Sequence, residues 1–321
     1  MTATDGRNDE PAGVSRLGRR SGEGGGGGGG GSSDSSSPIA DVVVLFVVAL
    51  TLLLVSGSAV ASLGLARRAG IWGSLVSVAL PELAGLLIPS LLFVWQSGQR
   101  QRLGMLIVPP SRRISAVLLH LLAGGLLGMT LFYVLSAWLE PLYEHLVRLT
   151  PAEQRALERM IVPASGVRPL GLDLLTFALV PALCEEVLFR GAILLTLLPD
   201  LGNPQAMDAH RQPARSGAMM LLCAVLFGLI HLSWGRMIPT MLLGMAFALA
   251  VRLAGSLWVP VAMHAMNNAL VVLMVRRGLS SFVELGWTVR IGLVPVAVVL
   301  LWTVLRLLGR GTAAWESARD A

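Results

Sequence analysis

Long apolar runs separated by short polar segments dominate the sequence after residue 40. A helix needs ~20 mostly apolar residues to cross the ~30 Å hydrocarbon core of a bilayer. Windows near this length cover residues 42–65, 75–95, 114–139, 172–198, 217–232, 238–253, 257–275 and 288–308. The pattern predicts an all-α fold, a polytopic transmembrane helical bundle of about eight spans.

The composition supports the same interpretation. Hydrophobic residues make up 54% of the chain, charged residues 14%, and the mean hydropathy is +0.71. A soluble domain carries about 25% charged residues, so this chain has too few to cover a water-facing surface. We therefore predict a multi-pass integral protein of a bacterial cell (inner) membrane, with the lipid bilayer as its surroundings.

The net charge of +6 raises the question of nucleic-acid binding. All 25 basic residues are arginines, and they are scattered in ones and twos between the apolar runs. A nucleic-acid site needs basic residues clustered on one face, whereas scattered arginines are typical of loops that hold membrane helices in place. We expect no nucleic-acid partner.

Polar segments divide the chain into four parts. Residues 1–38 are rich in Gly, Ser and Arg, with eight glycines from Gly24 to Gly31, and predict a disordered tail. Residues 39–169 hold the N-terminal spans and the longest polar connection, in which the stretch after Thr150 predicts an N-capped water-facing or interfacial helix. Residues 170–310 form a membrane core that carries the candidate chemistry, and 311–321 a short C-terminal tail.

The middle of the fourth apolar window contains three charged residues, each of which costs roughly 2.5–3.5 kcal/mol at the centre of a membrane helix. Glu186 and Arg190 are four residues apart, so they share one helix face and can form an ion pair. Glu185 lies on a different face without that partner, which makes it a candidate general base or acid. In the alternative interpretation, all three residues only lock helices together.

Two further windows contain histidines. His231 ends the fifth window, while His264 and Asn268 share one face of the seventh, with Asn267 beside them. With Glu185 these residues supply a base, a second proton carrier and an oxyanion donor.

Zinc is an alternative use of the same side chains. Two imidazoles and one carboxylate, from His231, His264 and Glu185, match the ligand set of a hydrolytic zinc site. Zinc is the one cofactor that these residues suggest, and the pattern does not require it. If successive spans simply alternated in direction across the membrane, His231 and His264 would lie at different depths. Either interpretation therefore needs staggered helices.

Other polar and small residues in the spans carry less information. Glu82, next to a proline in the second window, is another membrane carboxylate without a partner nearby in sequence. The pairs Gly124 and Gly128, and Gly244 and Ala248, are spaced four apart and predict close helix packing rather than ligand binding.

Three motifs taken together resemble the signature of the CPBP intramembrane protease family, which includes type II CAAX-prenyl endopeptidases and bacterial homologues linked to bacteriocin self-immunity. The family pattern is Glu-Glu-x-x-x-Arg, then Phe-x-x-x-His, then His-x-x-x-Asn. The matching segments, in this order, are Glu185-Glu186-Val187-Leu188-Phe189-Arg190, Phe227-Gly228-Leu229-Ile230-His231 and His264-Ala265-Met266-Asn267-Asn268.

The resemblance implies about eight helical spans and a cavity open to the cytosolic side, where peptide bonds near the membrane surface are hydrolysed. It assigns activation of a water molecule to Glu185 and His231. Stabilisation of the oxyanion falls to His264 and Asn268. Glu186 and Arg190 would be structural support.

These observations favour an intramembrane endopeptidase of glutamate or metal type that acts on a peptide or membrane-protein substrate. A proton-coupled or ion-coupled transporter is the main alternative, because chains of Glu and His in spans also form proton relays. A non-catalytic immunity or scaffold protein that acts by binding is the third hypothesis.

Overall fold

The computed structural model describes residues 37–108, 114–139, 150–161, 168–202, 213–279 and 286–304. It is 88% helical and has no strand among these residues, which confirms the predicted all-α class. The predicted disordered tail, up to residue 36, and the C-terminal tail 311–321 lie outside the described residues.

Helices follow one another through the whole described part of the chain. They are α1 (Pro38–Ser62), α2 (Leu65–Arg68), α3 (Gly70–Gln96), α4 (Arg100–Ile107), α5 (Ile114–Leu139), α6 (Pro151–Ile161), α7 (residues 170–197), α8 (Pro213–Leu229), α9 (Trp234–Ala254), α10 (Trp258–Arg276) and α11 (Gly286–Val304).

Six of these helices, α1, α3, α5, α9, α10 and α11, are long and apolar enough to cross a membrane. The predicted count of about eight spans is not confirmed. Helix α7 is long but carries Asp173, Glu185, Glu186 and Arg190. Helix α8 has 17 residues, fewer than the ~20 that a full crossing needs. The protein is an integral membrane protein, and its location in a bacterial inner membrane stays a prediction.

The helix predicted after Thr150 is present as α6, and its first turn is held by a capping box. The Thr150 hydroxyl accepts a hydrogen bond from the Glu153 backbone N–H at 3.2 Å, while a carboxylate oxygen of Glu153 accepts from the Thr150 N–H at 2.8 Å. Each residue satisfies an N–H of the other that the helix cannot use. Ile161, at the end of α6, is buried and anchors the helix to the rest of the fold.

Helix α7 is interrupted by two wider π turns, Leu175–Leu179 and Phe189–Ile193. The first turn ends just before Pro181, which has no N–H to donate and whose ring displaces the carbonyl one turn earlier. The second turn contains Arg190. The segment between them, Val180–Leu188, carries both glutamates.

Helices α5 and α10 pack closely along a groove lined by glycines. A Cβ atom added at Gly124 would lie 2.4 Å from the Val259 carbonyl oxygen, and one added at Gly128 would lie 2.6 Å from that of Met263. The predicted close packing through Gly124 and Gly128 is confirmed. Because α10 carries His264 and both asparagines, this groove fixes the position of part of the candidate site.

We expect Gly128→Ala to destabilise the protein, because the new methyl group overlaps the α10 backbone and overpacking costs about 1–3 kcal/mol. Gly125→Ala is the matched control, since its methyl group would meet only the flexible end of Met266 at 3.6 Å. Thermal unfolding of both variants in detergent measures the difference. Equal stability of the two variants would contradict the packing described here.

Candidate active site

A fully buried ion pair lies inside α7. Arg190 Nη1 donates to Glu186 Oε1 at 2.9 Å, and neither side chain is exposed. The other terminal nitrogen of Arg190 donates to the Gly244 carbonyl oxygen of α9 at 2.8 Å. Hydrogen bonds of this kind are needed to compensate the loss of hydration of a buried charge. The pair therefore also ties α7 to α9.

Three aromatic rings surround the Arg190 guanidinium. Its central carbon lies 4.6 Å from the centroid of Phe227, 5.2 Å from that of Phe247 and 5.8 Å from that of Phe189. Aromatic faces attract a cation, and the attraction grows when water is excluded. We call these three phenylalanines the aromatic cage.

His264 links this buried pair to Glu185. Its Nδ1 lies 3.0 Å from Glu186 Oε1 and donates to it, because an ionised carboxylate can only accept. The imidazole ring stacks on Phe247 at 5.2 Å. Its Nε2 lies 4.0 Å from Glu185 Oε2. Glu186 thus sets both the orientation and the proton position of His264, and directs Nε2 towards Glu185.

Glu185 itself is buried but poorly satisfied. Its side chain is 11% exposed, and Oε2 accepts no hydrogen bond from any described residue. A buried carboxylate oxygen without a partner leaves an acceptor free for water or substrate.

Glu82, which lacked a partner in the sequence, is brought close to Glu185. It ends the regular part of α3, and this part of α3 packs against the segment of α7 that carries Glu185. The two carboxyl groups lie close enough to interact electrostatically, and one oxygen of Glu82 is likewise buried without a described hydrogen-bond partner.

His231 follows the end of α8 in an irregular turn. Its Nδ1 lies 2.9 Å from the Phe227 carbonyl oxygen and donates to it, which leaves Nε2 as the free nitrogen. The ring packs edge-on against Phe227 at 5.3 Å, and His264 packs edge-on against the same ring at 5.6 Å. The two histidines therefore lie at similar depth. Short α8 ends near the level at which His264 lies within α10, so the spans are staggered.

Asn267 and Asn268 lie one turn beyond His264 on α10. The amide nitrogen of Asn267 donates to the side-chain oxygen of Asn268 at 3.3 Å. The amide nitrogen of Asn268 donates to no described residue and is therefore available as a donor.

The structure does not join all of the predicted site residues. No hydrogen bond or ion pair connects His231 to Glu185, although both residues are described. Among the described residues, no three His, Cys, Asp or Glu side chains are grouped so that they could hold a metal ion. Glu185, His231 and His264 are not grouped in this way, and the use of zinc stays a prediction.

Three features of the site could not be found in the sequence. These are the bond from Glu186 to His264, the Gly244 carbonyl that accepts from Arg190, and the aromatic cage. The first two join residues that are tens of positions apart, and the cage brings Phe227 and Phe247 to Arg190 from other helices. In the sequence, Phe189 is adjacent to Arg190 and Phe227 lies one helical turn before His231, but nothing indicates that they surround the guanidinium.

The fold and the site together define a helical membrane protein with an ionisable cluster enclosed between its helices. Residues 168–270 match the family described as Rce1-like type II CAAX prenyl endopeptidases. All three motifs lie within this segment, so the match supports the predicted resemblance to CPBP intramembrane proteases over residues 168–270. No curated protein and no solved structure matches the chain.

We expect Arg190→Leu to lower both yield and thermal stability, because it leaves the Glu186 carboxylate buried without its cation. Breaking a buried pair by removing one partner typically costs about 3–5 kcal/mol. The double variant Glu186→Gln, Arg190→Leu removes both charges and should recover part of the loss. Thermal unfolding in detergent compares the variants, and wild-type stability of Arg190→Leu would show that the pair does not hold the fold.

Proposed function

We propose that the protein is an intramembrane endopeptidase in which Glu185 is the general base that activates the hydrolytic water. One observation carries the proposal: the Glu185 carboxylate is buried, has an oxygen without a hydrogen-bond partner, and faces His264 Nε2 at 4.0 Å. Both glutamates have an Oε2 without a described hydrogen-bond partner. Glu186, however, accepts from Arg190 and His264 through Oε1, whereas Glu185 accepts no hydrogen bond from a described residue. The two adjacent glutamates therefore have different tasks, chemistry for Glu185 and support for Glu186.

In the proposed reaction, Glu185 accepts a proton from water as the water oxygen attacks the peptide carbonyl carbon. The carbonyl oxygen becomes an oxyanion. When the tetrahedral intermediate collapses, the C–N bond breaks and the proton passes from Glu185 to the leaving amine. The products are a carboxylic acid and an amine, and no other reactant is needed.

His231 would assist the same water. Because its Nδ1 donates to the Phe227 carbonyl, the lone pair of Nε2 is free to accept a hydrogen bond. A second acceptor orients the water and shares the proton that Glu185 removes.

His264 and Asn268 would bind the oxyanion. The free amide nitrogen of Asn268 is a neutral donor. Because the Nδ1 proton of His264 is donated to Glu186, His264 donates through Nε2 only as the imidazolium, with a proton on both ring nitrogens. Donors held by the fold need no reorganisation as the charge develops. The bond from Glu186 to His264 Nδ1 and the packing on Phe247 supply that rigidity.

The proposed substrate is a peptide segment presented at the membrane, such as a membrane-protein tail or a peptide leader. The membrane-spanning helices around the site and the match to CAAX-type endopeptidases support this class. We propose a bacterial cell membrane as the location.

We expect Glu185→Gln to abolish peptide cleavage while the protein still inserts and purifies normally, because the amide keeps the size but lacks basicity. A general base contributes about 10²–10⁴-fold, so less than about a tenth of the wild-type rate should remain. Comparison of peptide termini in cells that express the two forms measures the loss. Glu158→Gln, on the exposed side of α6, is the matched control.

The two rival functions give different results in the same variants. A transporter would show Glu185-dependent flux in proteoliposomes and no substrate cleaved by the wild type. A scaffold or immunity protein would keep its phenotype when Glu185, His231 and His264 are each replaced by alanine. Either result would replace the protease proposal.

We expect Asn268→Ala to lower kcat by about 10²–10³ with little change in KM, because a bond to the oxyanion strengthens only in the transition state. Asn267→Ala removes only the 3.3 Å bond that orients Asn268, so its loss should be smaller. Steady-state kinetics with a purified peptide substrate separate the two.

The same preparation tests for zinc. In the metal-free mechanism, a chelator leaves the wild-type rate unchanged. Stoichiometric zinc that is lost in His264→Ala, together with chelator inactivation reversed by zinc, would replace the metal-free mechanism with a metalloprotease one.

A further inference from the structure

The turn that carries His231 contains unusual backbone. Leu232 has φ of 49°, in the left-handed region, and is the one non-glycine residue with positive φ among those the structure describes. A branched side chain is disfavoured there because its Cβ approaches the carbonyl oxygen. The backbone N–H of His231 makes only a long bond, 3.4 Å, to the Gly228 carbonyl oxygen. Neither feature explains by itself why the turn keeps this shape.

Ser233, the next residue, uses its side chain in an unexpected way. It precedes α9 with extended backbone, the position of a helix N-cap, yet its hydroxyl makes no capping bond. Instead it donates to Glu153 Oε1 of α6 at 2.6 Å. Helix α6 is thereby tied to Ser233, the residue that follows Leu232.

Glu153 is held in place from both sides. One carboxylate oxygen accepts from the Thr150 N–H and hydroxyl, both at 2.8 Å, and the other accepts from Ser233. The hydrogen bond from Ser233, together with those from Thr150, lowers the pKa of Glu153 to about 2. The carboxylate is therefore ionised at any pH used for a protease assay, and bonds to it are stronger than bonds between neutral groups.

We propose that Glu153 is a positioning residue for His231, acting through Ser233 to hold the turn of residues 231–233 in its left-handed conformation. This inference rests on the proposed protease function. An anchor at Ser233 and the end of α8 at Leu229 fix the turn on both sides. His231 can then keep its bond to the Phe227 carbonyl and direct Nε2 into the site. The polar helix outside the matched core thus completes the catalytic geometry.

Steady-state kinetics on the full chain test this role. Because a small displacement of a catalytic group lowers the rate steeply, we expect Glu153→Ala and Ser233→Ala each to lower kcat about tenfold with KM nearly unchanged. The double variant should be no slower than either single variant, since both remove the same bond. Ser233→Thr keeps the hydroxyl donor and should retain the wild-type rate.

Two comparisons separate positioning from general damage. In a His231→Ala background, Glu153→Ala should have no further effect on the residual rate. Glu158→Ala removes the same charge from the exposed side of α6 and should leave kcat unchanged. Thermal unfolding confirms that each variant is folded. An equal loss in the His231→Ala background, or in Glu158→Ala, would overturn the proposal.

A measurement that does not depend on cleavage distinguishes this proposal from the protease proposal. In [¹⁵N]histidine-labelled protein in micelles, the ¹⁵N shifts of His231 should report a proton on Nδ1. Glu153→Ala should change these shifts and leave those of His264 unchanged. If they change but Glu185→Gln still cleaves, the positioning role stands and Glu185 is not the base. If they do not change while Glu185→Gln is inactive, the positioning role is wrong and the protease proposal stands.

Discussion

The carboxylate of Glu186 is the point on which the site depends. It lies fully buried between membrane helices, where an uncompensated charge would be very unfavourable, and it is compensated by two donors on one oxygen. Arg190 supplies the positive charge and donates a second hydrogen bond to the Gly244 carbonyl oxygen of α9. His264 supplies the other bond from α10. One carboxylate therefore joins three helices and fixes which nitrogen of His264 faces Glu185.

Close approach of the helices makes this arrangement possible. Gly244 lets the backbone of α9 come within reach of Arg190, because a Cβ there would lie 3.1 Å from the Phe227 ring. Gly124 and Gly128 do the same for α5 and α10. Without a hydrophobic effect between helices in lipid, such packing and interhelical hydrogen bonds hold the bundle together. The small residues predicted only to pack helices thus also determine the geometry of the site.

Helices that are too short or too polar to count as simple spans position Glu185 and His231, the two residues proposed to activate the water. Helix α7 contains four charged residues and two π turns, and α8 ends well before a full crossing, so that His231 stands in a turn beside the Phe227 ring. Irregular backbone at membrane depth is tolerated where protein surrounds it. This explains why counting apolar windows gave about eight spans, whereas six helices satisfy the requirements of length and composition.

The sequence by itself determined the features that depend on local spacing. Apolar runs gave the helices, the four-residue separation of Glu186 and Arg190 gave their ion pair, and Thr150 gave the start of α6. Motifs on three helices indicated the family. Tertiary structure alone decided which groups meet across helices: His264 with Glu186, Glu82 near Glu185, and Ser233 with Glu153. Helical periodicity fixes the face on which a side chain lies, but the depth, stagger and rotation of one helix against another depend on packing throughout the bundle.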